Sequence, residues 1–381
     1  MITIGNPSDC CGCSACASIC NNKAISMVPD GLGFLYPKVD KEKCTDCGLC
    51  EKVCSFNDNY DTSLNLPSLI AYGARHKNVE EVCDSRSGAA FVAISDYVLE
   101  KGGVVYGAVF DDEFRVIHKR ATNKEQRNEF RGSKYVQSDL NSTLIQVKED
   151  LKSGKVVLFS GTPCQTSAVN SFVGKNLKKN LILVDIVCHG TPSPYIWRDY
   201  LKYIEKKEGL KIIKANFRDK KLFGWAAHRE SFTFENKQTK SYRIFTKLFY
   251  QHIMFRDSCG SCHFCNLRRP SDLTLADFWG WEKQSPSFNS DDKGVSLLFV
   301  NTEKGELIFN KIKRDLICVN ASPDAYLQHN MQKPSIIHPM RSKFAKDYSS
   351  KGFEYILNRD YDKGPILVRL LSRLKSYFNR H

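Results

Sequence analysis

Two runs of cysteine constrain this chain more than any other feature. Cys10, Cys13, Cys16 and Cys20 follow a C-x2-C-x2-C-x3-C pattern, and Cys44, Cys47, Cys50 and Cys54 repeat it 34 residues later. Spacing this close lets one short loop wrap a 4Fe-4S cubane with three thiolates, while the fourth, on the following helical turn, reaches the other cluster. The pattern therefore predicts one cluster on Cys10, Cys13, Cys16 and Cys54, and a second on Cys44, Cys47, Cys50 and Cys20. Zinc is the competing chemistry. It takes pairs of C-x2-C across a longer loop, and three cysteines in series, twice, suit two tetrahedral ions poorly. Cys11 lies outside the pattern and reads as a spare thiol.

Between the two runs, Ala24–Val28 and Phe34–Val39 read as a hairpin turning at Asp30-Gly31. The segment resembles bacterial two-cluster ferredoxins, with one departure: the proline expected after each fourth cysteine is Asn21 in one half and Ser55 in the other. That change loosens a turn and removes no ligand.

At 381 residues the chain is too long for a ferredoxin module alone and leaves room for a larger body with its own core. No run approaches the roughly eighteen apolar residues that span a bilayer, and the start lacks a basic region followed by an apolar one, so a cytoplasmic protein is expected. In that setting sixteen cysteines read as metal ligands rather than disulfides. The formal charge is +14, and two oxidised clusters at roughly −2 each bring it to about +10. The surplus suits an acidic protein partner, an anionic surface or a phosphorylated cofactor. Nucleic acid is not expected, because neither finger spacing nor an RNP-like aromatic pattern is present.

From about Leu66 the pattern alternates between apolar strands and amphipathic helices. Gly102–Phe110 and Arg115–Lys119 read as neighbouring strands joined at Asp111-Asp112, and Lys155–Gly161 and Leu181–Cys188 as strands buried on both faces. The last two lead into Gly161-Thr-Pro-Cys-Gln and Gly190-Thr-Pro-Ser-Pro. A glycine turn, a cap residue and an early proline open a helix whose N-terminus can hold an anion. A hairpin is expected over Arg229–Phe234 and Lys240–Phe245, and a strand from Gly294. Asn57 to Pro67 reads as the connector between module and body. The overall class is α+β: a ferredoxin-like domain over 1–60, a mixed α/β body over 66–330 and an extension over 331–381.

Cys259, Cys262 and Cys265 form a third C-x2-C-x2-C with no fourth cysteine at the usual distance. A third cubane would need a ligand from elsewhere in the fold. Cys164, Cys188, Cys83 and Cys318 are the candidates, and Cys164, in a loop rather than an apolar strand, is the preferred one. Zinc and an inert cysteine group are the alternatives.

Several ordered motifs then share a pattern: Ser85-Arg-Ser-Gly-Ala, Arg131-Gly-Ser-Lys-Tyr-Val-Gln-Ser, Phe159-Ser-Gly-Thr-Pro-Cys-Gln, Val187-Cys-His-Gly-Thr-Pro-Ser, Asn216-Phe-Arg-Asp-Lys, Cys259-Gly-Ser-Cys-His-Phe-Cys and Ser271-Asp-Leu-Thr-Leu-Ala-Asp-Phe-Trp-Gly. Together they resemble the coenzyme F420 hydrogenase/dehydrogenase beta-subunit family, which includes plant 7-hydroxymethyl chlorophyll a reductase, over nearly the whole chain to about residue 330. The resemblance implies an FAD-dependent iron–sulfur oxidoreductase, with flavin contacts at Ser87, Gly88, Ser133, Lys134, Tyr135, Gln137, Thr162 and Gln165. The chain departs from the family at Ala89 and Ala276, where glycine is expected, and a methyl there narrows the approach to a flavin. His189 reads as a loop histidine without catalytic duty, and no catalytic acid is nominated.

Residues 365–378 place Ile366, Leu367, Leu370, Leu371, Leu374 and Phe378 on one helical face with basic residues outside it. Such a tail docks on its own domain, on a partner, or on an anionic inner membrane face. The expected function is electron transfer between the clusters and FAD to reduce or oxidise a small organic substrate or a deazaflavin-like cofactor. The family association points to surface-polysaccharide synthesis, and a redox protein such as ferredoxin or an oxidoreductase subunit would be the partner. A non-catalytic relay subunit is the alternative.

Overall fold

A computed structural model describes residues 1–56 and 60–361. Its strands, in chain order, are β1 (Ile25–Pro29), β2 (Leu35–Val39), β3 (Asn65–His76), β4 (Val104–Phe110), β5 (Val116–Ala121), β6 (Val157–Gly161), β7 (Leu181–Ile186), β8 (Ile212–Asn216), β9 (Glu230–Phe234), β10 (Thr239–Tyr242), β11 (Leu273–Asp277), β12 (Ser296–Thr302) and β13 (Leu316–Asn320). The longer helices are α1 (Ala90–Leu99), α2 (Thr143–Lys152), α3 (Pro163–Val173), α4 (Pro194–Glu208), α5 (Glu303–Ile312) and α6 (Arg341–Lys351), followed by the short α7 (Phe353–Leu357).

An eight-stranded sheet organises the body, in the order β13-β3-β12-β11-β7-β6-β4-β5. Its middle, β4, β6, β7 and β11, is parallel. Antiparallel strands flank it on both sides. The apolar runs alternate between two buried faces, as strands covered on both sides must. Val105, Leu158 and Ile182 pack under α1 and α5, while Val104, Tyr106, Val157, Phe159, Leu181 and Leu183 pack under α2 and α3. Ala15 and Val53 of the cysteine module join this second core.

The expected helix starts are present. Pro163 follows the cap Thr162, and the Ser193 hydroxyl accepts from Ile196 N ahead of α4, which ends at Gly209 in the left-handed region. The β1–β2 hairpin and the antiparallel β4–β5 and β9–β10 pairs form where expected. The last is shorter than its sequence suggests: Ile244–Tyr250 is helical, because the buried Glu230 carboxylate accepts from Phe245 N at 3.0 Å and from the Thr246 hydroxyl at the start of that turn.

A third core gathers α4, the β8–β9–β10 sheet, α6 and α7 around Trp197 and Tyr200. Phe344, Tyr348, Phe353 and Ile356 belong to it, so residues 341–361 are packed into the body rather than appended to it. The amphipathic segment 365–378 lies outside the described residues. Among the described residues no helix is long and apolar enough to cross a membrane.

Candidate redox centres and cofactor cavity

The fold gathers the amino-terminal cysteines into two groups. Burial pushes the Cys10, Cys16 and Cys54 thiols up, and the charge of Cys13 pushes each up further, which places these four side chains in one group. Cys20, Cys44, Cys47 and Cys50 line a separate cavity of about 180 Å³ at the outer end of the module, where Cys47 is exposed. Backbone N–H groups already point at the sulfurs: Gly12 N to Cys10 and Ala24 N to Cys20, at 3.4 and 3.3 Å, and Ile2 N to Cys50 at 3.3 Å. Buried thiolates crowded this closely repel one another, and the set fits a cationic iron core, which would offset that repulsion while the amides would stabilise the sulfurs. No three of the described His, Cys, Asp or Glu groups converge on a point fit for a single metal ion.

The third group sits deeper. Cys259, in the turn Asp257–Ser261, accepts from Thr191 N at 3.3 Å. Cys164 occupies the first turn of α3, 3.2 Å from the Thr162 hydroxyl. Cys164, Cys188, Cys259, Cys262 and Cys265 all line one cavity, whereas Cys83 and Cys318 do not. Cys188 therefore stands beside Cys164 as a possible fourth ligand. Cys11, outside the quartet pattern, is buried at 6% exposed, lines the same cavity and packs in one cluster with Cys13 and Cys164. Where the module docks decides this, and the local spacing carries no trace of it.

The cavity holds about 470 Å³, inside the roughly 300–1,000 Å³ range of ligand clefts. It lies outside the carboxyl ends of the parallel strands, where α/β sheets bind ligands. The loops after β6, β7 and β11 supply Gly161–Gln165, Val187–Pro192 and Trp279. Of the residues implied for flavin, Ser87, Ser133, Lys134, Tyr135, Gln137, Thr162 and Gln165 line it. Gly88 does not; it faces the sheet, where a Cβ would meet Ala74 O at 2.2 Å and Ser296 N at 2.6 Å. Gln165 is engaged locally, accepting from Thr162 N at 3.0 Å and donating to the Ser138 hydroxyl at 2.8 Å. Gln137 ties the module to the body by donating to Cys11 O at 2.8 Å. Ala89 and Ala276 both face the cavity, and Ala89 adopts φ +62, a conformation that favours glycine.

The electrostatics favour an anion. Arg86 Nε, Arg131 Nε and the Ser85 hydroxyl are buried without a hydrogen-bond partner among the described residues, and all three residues line the cavity. Burial lowers Arg86 to about 10 and Lys134 to about 7, although Lys134 Nζ donates to Glu129 O and Arg131 O at 2.8 and 2.9 Å. Arg218 is paired with Asp277, its guanidinium 5.2 Å from the Trp279 ring. Among the histidines, His189 Nε2 meets His252 Nε2 at 2.7 Å, and His228 Nδ1 meets the Tyr250 hydroxyl at 2.8 Å. Burial lowers His189 to about 4 and His228 to about 3, so both are neutral at physiological pH. Sequence reasoning assigned none of Arg86, Asp277, Trp279 or His252 to this site.

Residues 9–57 match the 4Fe-4S dicluster domain, and residues 154–324 match the family described as the C terminus of the coenzyme F420 hydrogenase/dehydrogenase beta subunit. Among solved structures, a chain of the xenon-derivatised F420-reducing [NiFe] hydrogenase complex from Methanosarcina barkeri is 18% identical, with 76% of this chain and 91% of that chain covered and a TM-score of 0.47. That likeness is too distant to carry an argument. No curated protein matches the chain. The chain thus carries an amino-terminal 4Fe-4S dicluster domain and, over residues 154–324, is related to the C terminus of the coenzyme F420 hydrogenase/dehydrogenase beta subunit, an iron–sulfur, oxidoreductase-type pairing.

Proposed function

We propose that the protein is an FAD-dependent iron–sulfur oxidoreductase that passes electrons between its clusters and a small organic substrate or a deazaflavin-like cofactor. One observation supports this above the rest. A line of thiols runs from exposed Cys47 through the two quartets and Cys11 to Cys164, and ends in the wall of the cavity that the flavin-associated loops enclose.

Cys10, Cys13, Cys16 and Cys54 would hold one cluster, and Cys44, Cys47, Cys50 and Cys20 the second. Cys259, Cys262 and Cys265, with Cys164, would hold a third. When bound, the clusters carry single electrons, and FAD converts these to the two-electron or hydride steps an organic substrate needs. The chain's own residues do the rest. Ser85 and Arg86, with Arg131 shared with Glu81 and Asp84, bring donors to the cavity wall that could meet an anionic group such as a pyrophosphate, and Lys134 adds charge beside them. Tyr135, His228 and Phe249 form an aromatic wall that excludes water. Neutral His189 and His228 line the space where a substrate would sit and can relay a proton. Docking on an acidic redox protein at the exposed second cluster, and a role in surface-polysaccharide synthesis, extend the same reading by family association. A cytoplasmic setting, with the carboxyl-terminal segment able to touch an anionic membrane, completes it.

Anaerobically purified protein should contain about twelve iron atoms and release flavin on acid treatment. Cluster absorption with no flavin, even after reconstitution with FAD, would replace the enzyme with a relay subunit.

A further inference from the structure

Arg256 is 1% exposed, yet every partner of its guanidinium is neutral. Nε donates to Cys10 O at 2.7 Å, Nη2 to Leu35 O at 2.9 Å and Nη1 to the Gln137 side-chain oxygen at 3.1 Å. The rings of Tyr36 and Phe34 lie 4.1 and 5.5 Å from its central carbon. Gly12, at φ +70, makes the room: a Cβ there would come within 2.7 Å of Nη1. Among the described residues no carboxylate pairs with Arg256, and the adjacent Asp257 is committed to Arg341 at 2.8 Å.

A guanidinium does not give up its proton inside a protein, and a buried charge persists only where opposite charge compensates it. Apart from Asp257, which also feels Arg256 but is paired with Arg341, the opposite charge nearby is that of cysteine thiolates. The positive field of Arg256 reaches Cys10, whose carbonyl it holds, Cys13, and Cys164, with which it lines the cavity. We propose that Arg256 is the fixed countercharge shared by the inner amino-terminal cluster and the third centre, making both easier to reduce than a neutral residue would. The reason is Coulombic: each reduction adds one electron to a cluster, and a cation held in a low-dielectric interior stabilises the more negative state. Arg256 is a positioning residue in this role, for it touches no reacting atom. The inference rests on the iron–sulfur reading and goes beyond it by naming what sets the potentials.

The experiment is an anaerobic redox titration of the holoprotein, followed by electron paramagnetic resonance, on wild type, Arg256→Met, Arg256→Lys and Gln137→Glu. Arg256→Met should move the midpoints of the inner cluster and the third centre to more negative values and leave the outer cluster, on Cys44, Cys47 and Cys50, unmoved. Arg256→Lys keeps the charge while losing the forked bonds, so its midpoints should stay near wild type even where its stability falls. Gln137→Glu sets a carboxylate at the atom that already accepts from Arg256 and should reproduce the negative shift with the arginine in place. If Arg256→Met does not hold its clusters, Gln137→Glu decides alone. Unmoved midpoints in Gln137→Glu, or a shift in Arg256→Lys as large as in Arg256→Met, would overturn the proposal. A wild-type protein without any cluster signal would overturn the iron–sulfur reading itself, and this inference with it.

Discussion

Replacing Arg269 by methionine should both destabilise the protein and empty the proposed third centre. Arg269 is 3% exposed and pairs with Asp185, which is 0% exposed, at 2.9 Å. The same guanidinium donates to Phe264 O and Asn266 O, and to Ile186 O. It therefore clamps the loop holding Cys262 and Cys265 against the end of β7. Breaking a buried pair by removing one partner costs about 3–5 kcal/mol, on the order of 10 °C in midpoint temperature for a chain of this kind. A pH signature separates this from general loosening. Burial raises the Asp185 carboxyl above its ordinary value, and Arg269 pulls it back down; without Arg269 it rises further. A carboxyl whose folded pKa lies above its unfolded value gives stability that is complete below the unfolded pKa and is lost as pH rises through the folded one. The deficit of Arg269→Met should thus deepen as pH rises above the ordinary carboxylate range, and Asp185→Asn in the same chain should recover much of it and flatten the profile. The assay is denaturant unfolding of anaerobic protein with iron counted in parallel, where roughly four of about twelve iron atoms should be missing. A deficit below about 1 kcal/mol, or one that does not change with pH, would refute the reasoning.

Adjacent residues in the serine–glycine loop should respond in opposite directions. Gly88→Ala drives a methyl onto two strands' backbone and should cost at least about 3 kcal/mol, whereas Ala89→Gly relieves a left-handed alanine and should gain about 0.5–1 kcal/mol, both read as unfolding midpoints. Cys54→Ser should remove the inner cluster and Cys20→Ser the outer one, each opposite to the repeat that carries the mutation; resonance spectra showing loss within the same repeat would reverse the ligand sets. Lys134, held down to about 7 by burial, gains a partner when an anionic cofactor binds. Its pKa rises on binding, so flavin affinity should be full below about pH 7 and fall as pH rises past it; Lys134→Met should bind more weakly and lose that dependence in a fluorescence titration.

The cysteine quartets were legible because a cubane demands one residue type at short, set intervals, so the signal is local. β6 and β7 were legible for a similar reason, since strands buried on both faces need unbroken apolar runs, and α3 and α4 announce themselves by cap and proline. What could not be read depends on how distant segments meet. Nothing in the sequence distinguishes Arg256 and Arg269, which are interior, from the many surface arginines and lysines. Cys11 changes from bystander to neighbour of Cys164 only once the module docks. The helical turn at Ile244 owes its start to Glu230, on a strand fourteen residues earlier, and the inclusion of residues 341–361 in the core follows from α4 offering Trp197 and Tyr200 as a surface.

That docking bears on how the protein could work. A ferredoxin domain swinging on a tether would present its clusters to changing partners, and its surface toward the body would be polar and weakly held. Here Ala15 and Val53 enter the core of the body, the Ser171 hydroxyl donates to Val53 O at 2.7 Å, and the Ser193 hydroxyl donates to Leu32 O at 2.5 Å. Tyr60, beyond the second quartet, donates to Arg268 O at 2.7 Å beside the third cysteine group. Each tie crosses between module and body, and several reach the backbone that carries the cysteines. The separation between the first cysteine quartet and the Cys259 group is therefore a property of the fold rather than of an encounter. On the proposed reading, exposed Cys47 and its cavity would be a face where an outside partner meets the proposed centres.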